Sequence, residues 1–384
     1  MIIYWLIFLL LCFSFYSFET HNVDPRKKRQ ILSGFYIFFF LLYSLRSYTV
    51  GTDTIGYIFN VFPQIKNLSY KEIFQNERDP FFYIVVKFVQ ENISDLNIVW
   101  FTFIALIFWI PVIHILKKYS YNIFMSLIIL MIFRYTDFPL NAMRNGIAVG
   151  ITFFSTQYLI EKKIFKFILC IIIATLFHKT ALIYLLLMPF MFINLLEKKI
   201  FIYSSILFVF MFKNILYQYI FKYLFSVDPS YQMYLNIDPG KILTFLIVSF
   251  FFLLTTYFLQ PSKGNYFMKI FYSSTFLSTI FGIFSLENPA FYRSSLYFGF
   301  SFAITVPYAL KFIYKKYSKK FSISIILSCL LLIYILGGPA PGVVPYSFFW
   351  NPQKNSTHLM KDARSQYDPT TIYLYSSDKL PVIP

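Results

Sequence analysis

The chain has 384 residues, of which 58% are hydrophobic, 23% are aromatic and only 13% are charged, and its formal net charge is +17. Soluble domains contain about 45–50% apolar and about 25% charged residues, so this composition excludes soluble enzymes, secreted disulfide scaffolds and disordered chains. Repeated apolar runs of about 18 or more residues instead indicate an integral membrane protein.

Twelve apolar runs follow one another along the chain, and most are long enough for a membrane-spanning helix. Their approximate bounds are 1–19, 31–49, 97–116, 121–139, 146–160, 164–178, 180–196, 200–221, 241–259, 268–286, 294–312 and 321–337. We therefore predict an all-α, polytopic membrane helix bundle of about 12 transmembrane helices within residues 1–337.

The basic residues gather in alternate connectors between these runs. Residues 26–29, 117–118, 162–166, 198–199, 263–269 and 311–320 hold 18 Lys and Arg, and only four acidic residues accompany them on that side. The rest of the chain holds 16 basic and 13 acidic residues. Because Lys and Arg accumulate in cytoplasmic loops, the basic connectors are predicted to be cytoplasmic and both termini external. The net charge is thus a topology signal, and a nucleic-acid partner is not expected.

Two segments depart from the simple alternation of spans and short connectors. Residues 50–96 mix apolar and charged positions, which predicts amphipathic helices at the external interface, too charged to span. Residues 338–384 contain seven prolines and are predicted to form an external C-terminal tail. The predicted organisation is a transmembrane domain, 1–337, that includes the external segment, followed by the tail.

Polar side chains are concentrated at the external ends of the predicted spans. Residues 134, 137, 141 and 144 follow the spacing of one helix face, although Pro139 can kink or end such a helix. Arg134 either pairs structurally with Asp137 or faces an external cavity, and Asp53 either caps a helix or takes part in a site. The candidate residues are Arg46, Asp53, Tyr57, Arg134, Asp137, Asn141, Arg144, His178 and Arg293.

Several arginines, a carboxylate and a histidine on one face suit a lipid-linked pyrophosphate substrate. Guanidinium groups bind phosphate oxygens bidentately and stabilise a departing pyrophosphate. A nearby Asp or His accepts the proton of an attacking sugar hydroxyl. The three isolated cysteines and the scattered acidic residues form no metal-ligand pattern, so neither a metal nor a cofactor is expected.

Three stretches in order resemble the EpsG-like, Wzy-type polysaccharide polymerases. They are RSYTVGTDTIGYI at 46–58, a longer run at 141–187 that begins with NAMRNGIAVGI and contains FHKTA, and PYSF at 345–348. The resemblance is carried by motifs over about residues 46–187 and by hydropathy and span count in the second half. The combination is more specific than any single motif.

The resemblance implies a membrane glycosyltransferase of the bacterial cytoplasmic (inner) membrane, with its active site facing the periplasm or exterior. Such enzymes transfer a growing glycan from undecaprenyl diphosphate to a new lipid-linked repeat unit. The implied partners are the two undecaprenyl-diphosphate-linked oligosaccharides, the bilayer, a chain-length regulator and a flippase. The sequence leaves open whether the product is O-antigen, capsule or exopolysaccharide.

The resemblance also assigns residues to motifs. Arg46, Asp53 and Tyr57 match the first motif, Asn141 and Arg144 the second, and His178 the third, while Asn145 replaces an expected Gln. In the resulting hypothesis, Arg144 acts with Arg134 and Arg293 to hold the donor diphosphate. Asp53 or His178 activates the acceptor hydroxyl, Tyr57 stacks on a sugar, and Asp137 orients Arg134.

Two other functions are compatible with the same composition. An O-antigen ligase, or another glycosyltransferase that uses lipid-linked sugars, has the same donor and a different acceptor. A flippase or other transporter of lipid-linked oligosaccharides requires polar residues along a path through several spans. The cytoplasmic half of this chain has few such residues outside the basic connectors, which favours the enzyme.

Overall fold

The computed structural model describes residues 2–21, 23–51, 53–76, 79–94, 96–221, 242–259, 266–316, 319–339, 343–344 and 346–350. Within these ranges the chain is helical, with 17 α-helices, short 3-10 and π-helical segments, and no β-strand. The all-α prediction is therefore confirmed.

The first 94 residues form two long helices and a group of short ones. Helix α1 spans Ile2–Thr20, and α2 spans Pro25–Ser44, where the Asp24 side chain accepts from the backbone of Arg26 at 2.9 Å. The predicted amphipathic segment contains α3 (Thr54–Gly56), a π-helix (Tyr57–Val61), α4 (Phe62–Asn67), α5 (Tyr70–Asn76) and α6 (Pro80–Asn92).

The middle of the chain contributes five α-helices and a long 3-10 helix. They are α7 (Asn97–Tyr119), α8 (Ile123–Ile132), α9 (Phe138–Asn141), α10 (Met143–Ile160), α11 (Ile164–Phe177), the 3-10 helix Lys179–Met191 and a shorter one, Leu195–Glu197. The predicted span 180–196 thus consists of a 3-10 helix that ends at Met191, with Pro189 inside it, and the start of a second 3-10 helix at Leu195.

The last part of the chain completes the bundle. It contains α12 (Lys199–Leu216), a π-helix (Tyr217–Phe221), α13 (Ile242–Phe258), α14 (Tyr266–Phe284), α15 (Ala290–Gly299), α16 (Phe302–Lys316) and α17 (Lys319–Gly337). The predicted run 294–312 is interrupted between α15 and α16.

Among the described residues, five helical segments are long and apolar enough to cross a membrane. They are Ile2–Thr20, Asn97–Tyr119, Lys199–Tyr219, Tyr266–Phe284 and Lys319–Gly337, and five shorter apolar helices accompany them. The chain is a multi-pass membrane protein. The number of 12 spans and the external termini stay predictions.

The predicted run 121–139 does not form one helix. Helix α8 ends at Ile132, and Arg134 follows with φ of 59°. The backbone of Tyr135 donates to Leu130 over 2.8 Å, which closes α8 as a Schellman cap does. Because Pro139 then begins a separate short helix and the chain breaks again at Ala142, the prediction of one helix face carrying residues 134, 137, 141 and 144 is wrong.

Small residues allow the central helices to approach closely. A Cβ atom at Gly150 of α10 would lie 3.3 Å from Phe108 of α7. Tyr135 stacks on Phe300 with ring centroids 4.9 Å apart, and a Cβ at Gly299 would meet its hydroxyl. Glycine at these positions brings the helices within the packing distance that stabilises membrane bundles.

Charged side chains lie at both ends of this bundle, and the two ends differ in which residues form the ion pairs. At one end, Lys118 and Lys163 contact Glu161 at 2.6 and 2.7 Å, and Lys319 contacts Glu19 at 3.0 Å. Every one of these residues lies in or next to a connector predicted to be cytoplasmic. The opposite ends of the same helices carry the candidate site.

Candidate active site

Asp79 is the centre of a polar cluster at the end of the bundle opposite to the basic connectors. It precedes α6, but its side chain does not cap that helix, and only 1% of its surface is exposed. Its Oδ2 accepts hydrogen bonds from Arg144 Nη1 at 2.9 Å and from His178 Nδ1 at 3.1 Å. Its Oδ1 accepts one from the backbone N–H of Lys179 at 3.1 Å. The carboxylate thus joins α6, α10 and the end of α11.

Arg144 lies in the first turn of α10 and is held by aromatic rings as well as by Asp79. Its Nη1 also donates to the hydroxyl of Tyr83 at 3.0 Å. The guanidinium carbon lies 5.6 Å from the ring centres of both Tyr57 and Tyr83, within cation–π distance. About a quarter of the Arg144 side chain is exposed, so the guanidinium is fixed in position and still accessible.

His178 follows α11 and is mostly buried. Burial lowers its pKa and the hydrogen bond to Asp79 opposes this, while the positive charges of Arg144 and Arg293 lower it further, so the pKa lies below its ordinary value. Burial alone raises the pKa of Asp79, but the contacts with His178 and Arg144 outweigh burial and keep it below its usual range. At neutral pH the imidazole is therefore neutral and the carboxylate ionised. With Nδ1–H donated to Asp79, the Nε2 lone pair is free to accept a proton.

Two further candidates lie near this cluster. The charge of Arg293, in the first turn of α15, acts on His178. Asp53 lies within electrostatic reach of Tyr57, and its side chain makes no hydrogen bond that caps α3. The structure therefore brings Asp53, Tyr57, Arg144, His178 and Arg293 into one region.

Arg46 is elsewhere and is 2% exposed. Its Nη1 donates to the carbonyl oxygens of Val50, at 3.2 Å, and Leu140, and its guanidinium lies 4.3 Å from the ring centre of Phe101. Its backbone forms an antiparallel bridge with Phe348. In this position Arg46 ties the 46–50 turn to α9 and to the PYSF motif.

Arg134 is also separate from Arg144. Its Nε donates to the carbonyl oxygen of Gly338, after α17, at 2.9 Å. Asp137 is buried and accepts from the hydroxyl of Thr136 at 3.0 Å. Arg134 and Asp137 both lie within electrostatic reach of Tyr292 and Tyr334. They form a second polar group, while Asn141 ends α9.

The side chain of Asn145 has no hydrogen-bond partner among the described residues. Its side chain is 2% exposed, and both its amide nitrogen and its amide oxygen lack a partner. It directly follows Arg144 in α10 and stands where the motif resemblance expects Gln.

The Asp79–Arg144–His178 cluster combines a neutral imidazole with a fixed guanidinium. Nε2 of His178 is placed to accept a proton, because Asp79 fixes the opposite edge of the ring. Arg144 and Arg293 supply positive charge beside this imidazole, an arrangement that suits an anionic group. No group of three or more His, Cys, Asp and Glu residues suited to a metal occurs in the part of the chain that the structure describes.

The model of the EpsG family matches residues 29–348, which include every residue of this cluster. The chain belongs to the EpsG family. No curated protein and no solved structure matches it. The family match confirms the resemblance drawn from the motifs and supports a polysaccharide-polymerase-like membrane protein of the glycosyltransferase type.

Sequence reasoning missed Asp79 and Tyr83 in this EpsG-family chain. Asp79 stands in the run NERDPFFYIVV as one of the charges that predict an amphipathic interfacial helix, and Tyr83 lies in the apolar part of the same run. One local signal is present in the sequence, because Asp directly before Pro is typical of the start of a helix. The contacts with Arg144 and His178 join residues that are 65 and 99 positions apart, and no local pattern predicts them.

Proposed function

We propose that this EpsG-family protein is a repeat-unit polymerase. It transfers a growing glycan from a polyprenyl diphosphate to the non-reducing end of a new lipid-linked repeat unit at the external face of the bacterial cytoplasmic membrane. The observation that carries the proposal is the shared carboxylate of Asp79, which holds both a neutral histidine and an arginine in one accessible cluster.

The proposed reaction begins at the acceptor hydroxyl. His178 Nε2 accepts its proton as the oxygen attacks the anomeric carbon of the donor sugar. The new glycosidic C–O bond forms while the bond from that carbon to the diphosphate oxygen breaks. The carrier diphosphate leaves with the electron pair, stabilised by Arg144 and Arg293, and the proton passes from His178 to water. Asp79 stays ionised and stabilises the imidazolium.

The aromatic residues have a supporting role in the proposal. Tyr57 is 9% exposed and lies at the guanidinium of Arg144, where it is placed to pack against a sugar ring. Tyr83 carries no charge, and its hydroxyl accepts from Arg144 Nη1 and helps to hold the guanidinium beside Asp79. Asp53, close to Tyr57, is placed to accept sugar hydroxyls instead of serving as the base.

Charge asymmetry supports the proposed external location of this site. The ion pairs of Lys118, Lys163 and Lys319 lie at the end predicted to be cytoplasmic, and the Asp79 cluster lies at the opposite end. A lipid diphosphate supplies its own bond energy, so the proposed reaction needs no nucleotide at that face.

The test is a gel profile of surface glycan from a deletion strain that carries wild-type or variant protein. Wild type should restore a ladder, and Arg144→Lys should leave a single repeat unit, because Lys retains the charge and loses the planar fork. Lys118→Met removes a similar ion pair at the opposite end and should restore the ladder. A normal ladder with Arg144→Lys would contradict the bidentate role. Loss of even the single unit from the surface of the deletion strain would favour transport or ligation.

A further inference from the structure

Arg134 occupies a backbone conformation that favours glycine. It has φ of 59°, and within the described ranges Lys162 is the other non-glycine residue with positive φ. Both residues follow the C-terminus of a helix, where glycine is commonest because it has no Cβ. Lys162 belongs to a basic connector, so its charge has a topological reason. Arg134 is at the opposite end of the bundle, where orientation does not require a positive charge.

The guanidinium of Arg134 is only partly bonded within the protein. Its Nε donates to Gly338, while neither Nη atom makes a hydrogen bond and no carboxylate forms an ion pair with it among the described residues. The side chain is partly exposed and borders a surface pocket. That pocket is lined by Arg134, Gly337 and the apolar residues Ile132, Phe133, Leu243 and Ile247. A planar cation thus stands at the edge of an apolar surface.

Helix α15 carries neighbouring residues that interact electrostatically with Arg134 and with His178. Tyr292 lies within electrostatic reach of Arg134, whereas its neighbour Arg293 acts on His178. Consecutive residues of a helix point about 100° apart, so one turn of α15 borders both polar groups. Asp137 is buried and accepts from the hydroxyl of Thr136.

We propose that Arg134 and its apolar pocket bind the diphosphate and the first part of the lipid of the second lipid-linked substrate, the acceptor. This inference rests on the proposed function, in which both substrates carry a lipid diphosphate. The donor diphosphate binds at Arg144 and Arg293 and is released. The acceptor diphosphate is retained through the reaction, so it requires a separate site from which its sugar end extends past α15 to His178.

The test counts binding sites for farnesyl diphosphate, a short polyprenyl diphosphate, on the full-length protein in nanodiscs by native mass spectrometry. Wild type should bind two equivalents. Arg134→Gly and Arg144→Gln should each bind one, with at least a tenfold loss of affinity at the altered site. Glycine suits φ of 59°, so Arg134→Gly should fold normally, and Arg134→Asn gives a second variant that tolerates this conformation. Lys162→Gly is the matched control and should still bind two.

Two outcomes would overturn the inference. One is two equivalents on both Arg134→Gly and Arg134→Asn. The other is displacement of the Arg134-dependent equivalent by phosphatidylglycerol at equal concentration, which would make the pocket a site for bilayer lipid. The glycan ladder of the deletion strain tests the polymerase function independently. If the wild-type protein binds two equivalents but does not restore the ladder, the proposed function is rejected. If it restores the ladder but binds only one equivalent, only the inference is rejected.

Discussion

Asp79 accepts a hydrogen bond from His178 over 3.1 Å, although 99 positions separate the two residues along the chain. The same oxygen accepts from Arg144. One buried carboxylate therefore fixes the tautomer of a base and the position of a cation. Removal of this carboxylate should affect both stability and chemistry, and a second substitution separates the two effects.

Asp79→Asn alone should lower the amount of folded protein. It leaves Arg144 without its counter-ion, which costs up to about 3–5 kcal/mol for a buried pair. Arg144→Gln in the same chain removes the unpaired charge, so Asp79→Asn/Arg144→Gln should recover much of the stability. We expect this double variant to reach near wild-type abundance in membranes and to make no polymer. Immunoblots and glycan gels of the same cells measure both.

A full glycan ladder from that double variant would show that the Asp79–Arg144 pair is structural only. The control is Lys118→Met/Glu161→Gln, which removes a pair of similar N–O distance, 2.6 Å, at the other end of the bundle. It should retain both abundance and polymer.

The rate of polymer formation should depend on the protonation of His178. A base acts in its neutral form, and the pKa of His178 lies below its ordinary value of about 6.5 because of burial and the nearby arginines. The rate should therefore rise with pH, reach its half-maximum below pH 6.5 and stay level through neutrality. Initial rates in membrane vesicles between pH 5 and 8 measure this profile.

Substitution of His178 tests whether this residue causes the pH dependence. His178→Gln should reduce the rate by about 10²–10⁴-fold and remove the acid limb of the profile. His114→Gln changes a histidine that contacts Gln157 at the other end of the bundle and should leave the limb in place. An unchanged limb in His178→Gln would mean that another group is the base.

We expect Arg46 to stabilise the folded protein. Lys in its place cannot both stack on Phe101 and reach the carbonyl oxygens of Val50 and Leu140. Arg46→Lys should therefore destabilise the protein by about 2–3 kcal/mol, through lost charge-assisted hydrogen bonds. The loss of polymer should follow the loss of protein in the membrane. A stable Arg46→Lys protein that makes no polymer would instead support the substrate-binding role that the motif suggests.

Replacement of Asn145 should stabilise the protein. Both amide atoms are buried without a partner, and each such group costs about 1–3 kcal/mol. Asn145→Leu keeps a similar volume and removes both groups, so thermal unfolding in detergent should shift to higher temperature. A lower unfolding temperature would contradict this expectation and indicate that the amide bonds a group such as water in the folded protein.

Composition and hydropathy determined the all-α membrane class, because only helices satisfy the backbone of long apolar runs in lipid. The motifs determined the family, and they also included Arg144 and His178. Short-range patterns did not determine the backbone conformation near Arg134. The left-handed conformation of Arg134 ends one helix, and Pro139 lies in the first turn of the next. The single helix that residue spacing predicts therefore does not form.

Only the tertiary structure decided which polar residues lie together. Arg46 and Arg144 belong to neighbouring motifs, yet the first is buried against backbone oxygens and the second is held beside a histidine. Periodicity reports which face of one helix is apolar, but contacts between α6, α10 and the end of α11 depend on how helices distant in sequence pack. Asp79 became part of the site for that reason, since its partners come from packing and not from its own helix.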